Sequence, residues 1–282
     1  MDATTYSPES LAQLFAAWDE VPHARLLAGG TDLLVRLRDE DAWPPLIDIS
    51  RIAELQGIAA SADTIRIGAL ATYSEIEQHH ELAAHAAALV QAAQLVGSPQ
   101  IRNRGTLGGN LANASPAGDT IPPLYVLDAR VVLVSSTGTR HLPVDEFYTG
   151  PGKSLRNQCE IITAVELPVE PARRSVFMRL GQRQALAISK VSVAVSLVHT
   201  DGSVPDIRIA LGAVAPTVVR ARRAEDALRG HTLDNDAIVA ACTAVESDAA
   251  PISDLRSNAR YRRAMCGELL NRALHNLQSP GD

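Results

Sequence analysis

At 282 residues with 46% hydrophobic side chains, the chain is long enough for one large or two to three small domains with packed cores. A net charge of −6 argues against a nucleic-acid surface, which needs clustered basic side chains, and no apolar run is long enough to span a bilayer. Cys159, Cys242 and Cys266 lie far apart without a C-x-x-C, so no iron–sulfur or zinc signature is legible, and Met1 opens no leader-like segment. The expectation is a cytoplasmic protein with reduced thiols, bound to neither nucleic acid nor membrane.

The first segment places Leu11, Leu14, Phe15 and Trp18 at helical spacing, with Ser7 as expected N-cap and Pro8 in the first turn. Residues 25–33, RLLAGGTDL, read as a short buried strand (Leu26, Leu27, Ala28), a turn (Gly29, Gly30) and a helix capped by Thr31 or Asp32 that runs from Leu33 through Leu37. Asp32 is expected to cap first. Strand, glycine turn and helix N-terminus is a geometry that holds phosphate, although neither G-x-G-x-x-G nor a GK[ST] loop is present. A strand at 46–49 and a helical turn at 52–55 complete a small α/β unit.

From Thr64 the alternation around Ile65 and Ile67 predicts a strand, and Thr72 with Glu75 a capping box. An Ala-rich helix at 82–96 stops at Gly97-Ser98-Pro99. His79, His80 and His85 lack a carboxylate or thiolate at ligand spacing and read as a solvated helix surface. The stretch 100–119, QIRNRGTLGGNLANASPAGD, reads as a second ligand loop. Gly105, Gly108 and Gly109 let backbone approach closely, exposed amides form an anion-binding concavity, and Thr106, Asn110, Asn113, Ser115 and Asp119 supply short polar side chains. A turn that satisfies only its own backbone is the alternative. Two phosphate loops would suit a dinucleotide. A helix at 121–127 follows, with Asp119 or Thr120 as N-cap, then strands at 131–135, 140–143 and 161–167.

Residues 168–171, with Arg173 and Arg174 after them, read as a linker. Strands at 176–180, 191–199 and 207–214, an Asp201-Gly202 turn, and helices at 219–228, 236–247 and 258–277 predict a three-stranded antiparallel sheet covered by helices. Tyr261, Met265, Leu269 and Leu274 line one face of the last helix. No nucleophile elbow, paired carboxylates or metal cluster is legible.

The segments AGGTDLL (28–34) and IRNRGTLGGNLANASPAGD (101–119) are followed in order by EIITAVELP (160–168), QALAISKVSVAVSL (184–197) and LGAVAPTVVRARRAEDALRG (211–230). Together they resemble the flavin-binding medium subunit of the xanthine dehydrogenase family of molybdenum hydroxylases, over nearly the whole chain. The resemblance implies an α+β fold: a two-subdomain FAD-binding domain of the vanillyl-alcohol-oxidase/PCMH type (1–57 and 58–170) and a C-terminal flavoprotein domain (171–282). It implies FAD held by Leu26, Leu27, Ala28, Gly29, Gly30, Thr31, Asp32, Leu33, Gly105, Thr106, Leu107, Gly108, Gly109, Asn110, Asn113, Asp119, Ile161 and Ile162, with no metal ligands. Lys190 matches a lysine near the flavin ring, where a cation would stabilise the reduced, anionic form; a snorkelling lysine at a strand end is the alternative. The flavin would carry the redox chemistry. The implied partners are a large subunit with a molybdenum cofactor and a small subunit with [2Fe–2S] clusters, electrons passing through this FAD to NAD, oxygen or a quinone. Two alternatives stand beside this reading: a self-contained FAD oxidoreductase of the vanillyl-alcohol-oxidase type, and a non-catalytic module of the same fold. Neither glycine loop holds a His or Cys for covalent flavin attachment. Phe177 and Tyr148 are ring neighbours by position, and each also reads as core.

Overall fold

The computed structural model describes residues 4–183, 185–200 and 202–278. The chain opens with β1 (Thr5–Tyr6), α1 (Leu11–Glu20), β2 (Arg25–Leu27), α2 (Leu33–Leu37), β3 (Leu46–Asp48) and a 3-10 turn (Ala53–Leu55). β3 pairs in parallel with β1 and β2. α1 buries Leu14 and Trp18 in a small core with Ile47, Ile49 and Ile52. Its N-cap is Ser10, whose hydroxyl accepts from the Gln13 N–H at 3.3 Å. The expected Ser7–Pro8 start lies too early, because only a residue next to the first turn can reach its orphan amides.

A second unit holds β4 (Ile58–Ala60), β5 (Thr64–Gly68), α3 (Tyr73–Gln78), α4 (His80–His85), α5 (Ala87–Leu95), α6 (Pro99–Arg102), α7 (Leu107–Asn113), α8 (Ile121–Val126), β6 (Arg130–Ser135), β7 (Gly138–Pro143), α9 (Val144–Phe147), β8 (Tyr148–Gly150), β9 (Lys153–Ser154) and β10 (Ile161–Pro168). Its main sheet is antiparallel in the order β4-β5-β10-β6-β7. The strand latest in sequence is thus the central one, and its apolar run is buried on both faces. The Thr72–Glu75 capping box forms with both of its hydrogen bonds. The helix expected at 82–96 is two helices, broken at Ala86 (φ −139°, ψ 41°). No Gly or Pro marks the break; α5 packs against both α3 and β11, so tertiary contact rather than propensity sets its direction. The 100–119 stretch is not a continuous loop either. Ser98, just before it, caps α6, Thr106 within it caps α7, and Leu107 and Leu111 anchor α7 in the core.

The third unit is β11 (Arg173–Leu180), β12 (Val191–Thr200), β13 (Ser203–Gly212), β14 (Val219–Arg220), α10 (Arg222–Leu228), α11 (Asn235–Asp248) and α12 (Ala259–Gln278). Among the described residues its sheet has four strands, not three: Val219 and Arg220, expected to be helical, pair with Leu211 and Ala210, and the helix starts at Arg222. The open edge of β13 recruits the β-branched Val219 before helix geometry can begin. β11 starts at Arg173, just past the expected linker and three residues before the expected strand, because Arg173 is buried, bonded to Asp206 and Glu170. Asp201 of the expected turn lies outside the described residues; Gly202 beside it has φ +81°.

β12 alternates large and small side chains. Val193, Val195 and Leu197 join the core under α10, α11 and α12, while Ala194 belongs to the core shared with α5 and α8. Ser196 donates to the Val126 carbonyl at 2.6 Å, and a Cβ on Gly212 would lie 2.8 Å from Pro122. Small residues therefore let α8 approach the sheet closely, which carries residues 179–190 up to the 110–119 segment. On α12, Leu269 and Leu274 are buried and Met265 packs beside them, whereas Tyr261 is exposed.

Candidate functional site

β2 and α2 are joined by a tight turn in which Gly30 has φ +75°, open to glycine at little cost. The amides of Gly29, Gly30, Thr31, Asp32 and Leu33 donate to no acceptor among the described residues. Such a row of N–H groups is an anion-binding concavity by itself. α2 has only 5 residues, so the amides rather than a helix dipole supply the attraction. Leu26 and Leu27 are half-buried rather than core, and Leu26 borders this opening. Asp32 stands at the N-cap position but has helical angles (φ −112°, ψ −48°) and makes no capping bond. Its carboxylate instead pairs with Arg36 at 3.0 Å, with the Asn113 amide 3.5 Å away. Arg36 also donates to the Asn113 Oδ1, so one guanidinium bridges both glycine segments and offsets the negative charge of Asp32.

The second segment behaves differently from expectation. Its amides are already bonded: Leu107 to the Ala71 carbonyl at 3.0 Å, Gly108 to Ala69 at 2.8 Å, Gly109 to the Thr106 hydroxyl at 3.1 Å, and Asn110 to Thr106 at 3.0 Å. It offers side chains to a ligand rather than a concavity of N–H groups. Its glycines serve packing. A Cβ on Gly108 would lie 2.6 Å from that of Ala69, and one on Gly29 only 1.7 Å from the Arg104 carbonyl oxygen. The two segments thus touch, backbone to backbone. Asn110 accepts from Thr120 at 2.8 Å and bonds Tyr73, whose phenol is pushed well up by burial and stays neutral.

Two adjoining cavities open beside this contact. The first, about 760 Å³, is lined by Leu26, Ala28, Gly29, Gly30, Thr31, Asp32, Leu33, Thr106, Gly108, Gly109, Asn110, Asn113, Ile161 and Ile162, together with Trp18, Tyr73, Arg36, Arg156 and Glu160. The second, about 630 Å³, takes its walls from Ser115, Gly118, Asp119, Pro151, Arg179, Ile188, Ser189 and Ile252. Asp32, Val96, Asn110 and Asn113 border both. Leu27, Gly105 and Leu107 border neither: Leu107 is core, Gly105 lies under the Tyr73 ring, and Leu27 lies against Gly30. Lys190 borders neither cavity; it follows the lining residue Ser189, with its N–H bonded to the Leu180 carbonyl at 2.8 Å.

Asp119 caps no helix. Thr120 holds that position without a capping bond, and the Asp119 carboxylate accepts from Arg179 at 2.5 Å and from Ser189 at 2.6 Å. Burial raises its pKa, opposed by Ser189 and Arg179. Phe177 and Tyr148 are in or against the core and border neither cavity. Contrary to expectation the histidines do have a carboxylate, since Glu81 pairs with His80 and His85, yet no group of residues among those described could hold a metal. All three cysteines are free. Sequence reasoning missed Arg36, Tyr73, Arg156, Arg179 and Ser189; an arginine inside the apolar run FMRL was the available signal for one of them.

Free amides along the first cavity, reaching the second at Asp32 with its neutralised carboxylate, fit a dinucleotide whose diphosphate lies along them. Residues 1–170 match the family described as the FAD binding domain in molybdopterin dehydrogenase. The chain belongs to this family of FAD-binding subunits. Residues 177–277 of this flavoprotein match the CO dehydrogenase flavoprotein C-terminal domain. It is 33% identical over 264 residues to the xanthine dehydrogenase FAD-binding subunit of Escherichia coli O157:H7, covering 92% of this chain and 90% of the relative. It is 32% identical over 272 residues to the carbon monoxide dehydrogenase medium chain of Hydrogenophaga pseudoflava, covering 96% and 95%. A solved carbon monoxide dehydrogenase from Hydrogenophaga pseudoflava superposes with a TM-score of 0.92 at 33% identity, over 98% of this chain and 96% of that one. FAD is therefore the cofactor, and the protein is the FAD-binding medium subunit of a molybdenum-hydroxylase oxidoreductase. No helix among the described residues is long and apolar enough to cross a membrane.

Proposed function

We propose that this subunit, in the cytoplasm, receives electrons through the [2Fe–2S] clusters of a small partner, fed by a large partner with a molybdenum cofactor, and delivers them to NAD, oxygen or a quinone. The observation that carries the reading is the row of unbonded amides at residues 29–33, which line the first cavity and reach the second at Asp32. FAD supplies the redox chemistry; the chain supplies position. In this assignment the amides of Gly29, Gly30, Thr31, Asp32 and Leu33 hold the diphosphate, and Thr106, Asn110 and Asn113 face it from the other side. One half of the dinucleotide lies along Leu26, Ala28, Gly108, Gly109, Ile161 and Ile162, the other in the cavity beside Asp119. Leu27, Gly105 and Leu107 back the two segments without touching cofactor. The division 1–57, 58–170 and 171–282 then puts FAD between the first two parts, with the third closing the ring end.

The purified chain is expected to show flavin absorption bands, and a colourless protein that ignores added FAD would sink the proposal. Native purification is expected to bring molybdenum and iron with it; their absence would remove the partners. Lys190→Met is expected to lower the flavin midpoint potential, and an unchanged potential removes Lys190 from the site.

A further inference from the structure

Asp119, Arg179 and Ser189 form a buried cluster that joins three stretches of chain beside the second cavity. Arg179 lies on β11 with its side chain 6% exposed. Its Nη1 donates to the Asp119 Oδ2 at 2.5 Å and to the Ala187 carbonyl at 3.2 Å, and its Nη2 donates to the Leu95 carbonyl at 2.6 Å, at the end of α5. The Ser189 hydroxyl donates to the other Asp119 oxygen, Oδ1, at 2.6 Å. Both carboxylate oxygens therefore have partners inside the protein. Residues 187–189 are held twice, through Ala187 by Arg179 and through Ser189 by Asp119, and these residues wall the second cavity. Ile188 between them is 60% exposed, an apolar side chain on a tethered backbone.

A point charge could neutralise Asp119. Serving a carboxylate and two carbonyls in different directions needs the planar fork of a guanidinium. We propose that Arg179 is a positioning residue for the flavin end of the site: with Asp119 and Ser189 it sets residues 187–189 as the wall against which the cofactor half in the second cavity rests. Asp119 acts through this cluster. The inference rests on the reading that the dinucleotide spans both cavities.

The test compares FAD with ADP, which lacks the flavin half, on the deflavinated full chain. Ser189→Ala and Arg179→Lys are expected to weaken FAD about tenfold, the loss of one charge-assisted hydrogen bond or of the fork, and Arg179→Met more strongly. ADP affinity stays at the wild-type value in all three. The bound flavin's visible spectrum shifts in the same order, with lysine between arginine and methionine. Parallel weakening of ADP and FAD would make the cluster general structural support and overturn the proposal. So would wild-type FAD affinity and spectrum in both Ser189→Ala and Arg179→Lys, and so would a loss seen in Asp119→Asn alone, which would mark a direct ligand. Ser189→Ala keeps the ion pair and gives an answer even where Arg179→Met does not fold. A wild-type chain that binds neither FAD nor ADP would instead overturn the two-cavity reading.

Discussion

Replacing Gly29 by alanine tests whether the two glycine segments form one site by direct contact. The added Cβ would lie 1.7 Å from the Arg104 carbonyl oxygen and 2.5 Å from its carbon, both backbone atoms. Carbon–oxygen contacts settle at about 3.3–3.6 Å, so the segments must separate by well over 1 Å, with no side chain to rotate away. Overpacking costs about 1–3 kcal/mol, and a backbone collision belongs at the upper end, which lowers Tm by roughly 6–12 °C. The same separation moves the amides of residues 29–33 away from Thr106 and Asn110, and a loss of 1.4 kcal/mol there corresponds to an FAD Kd about tenfold higher. Gly150→Ala is the control. A Cβ there meets nothing within 4 Å and its φ is outside the left-handed region, so the change is neutral or stabilises by about 0.4–1 kcal/mol. Thermal melts with and without FAD, and a flavin fluorescence titration, measure both effects. A Gly29→Ala protein with wild-type Tm and FAD affinity would refute the contact between the segments.

Glu160 accepts from Arg140 Nε and Nη2, both at 2.7 Å, and from the Asn157 N–H at 2.8 Å, and the Arg140 hydrogen bonds hold its pKa below the ordinary glutamate value. A depressed folded pKa stabilises the fold above the unfolded pKa of about 4.3 and loses that contribution as pH falls through the folded value. Wild type should therefore exceed Glu160→Gln in urea midpoint at pH 7, with the gap closing in acid; a gap independent of pH contradicts the pairing. Glu225 is fully buried, accepting from the Ile209 N–H at 2.8 Å and from Arg220 at 2.7 Å. Glu225→Gln leaves Arg220 without its carboxylate and should cost about 3–5 kcal/mol in guanidinium unfolding, while FAD affinity holds; a cost below about 1 kcal/mol would show the cluster to be energetically idle. Burial pushes the Cys266 thiol up to about 12 and Cys242 up to about 11. Disulfide reagents at pH 8 should modify both rapidly only after unfolding, and fast native labelling of Cys266 would contradict the packing of α12.

Features whose partners are near in sequence were legible. The Thr72–Glu75 capping box forms as expected, because both bonds span one helical turn. The strands 131–135 and 140–143 pair across their short turn for the same reason. Asp32 shows where local reasoning stops. Its place before a helix suggests a cap, but Arg36 one turn on and Asn113 on a distant helix take its carboxylate. Asp119 is the stronger case, since its partners Arg179 and Ser189 stand 60 and 70 residues away on the third unit.

The amino-acid sequence by itself determined the two glycine segments, the apolar periodicities and the family resemblance, all of which reside in local pattern and order. Tertiary structure alone decided how the segments are used. Glycines that permit both ligand approach and backbone packing were committed to packing at Gly29 and Gly108 by the chains lying against them. The amides of residues 29–33 remained available, while those of residues 107–110 were taken by Ala69, Ala71 and Thr106. A backbone donor's freedom depends on which acceptor the fold brings within about 3 Å, and sequence distance carries no information about that.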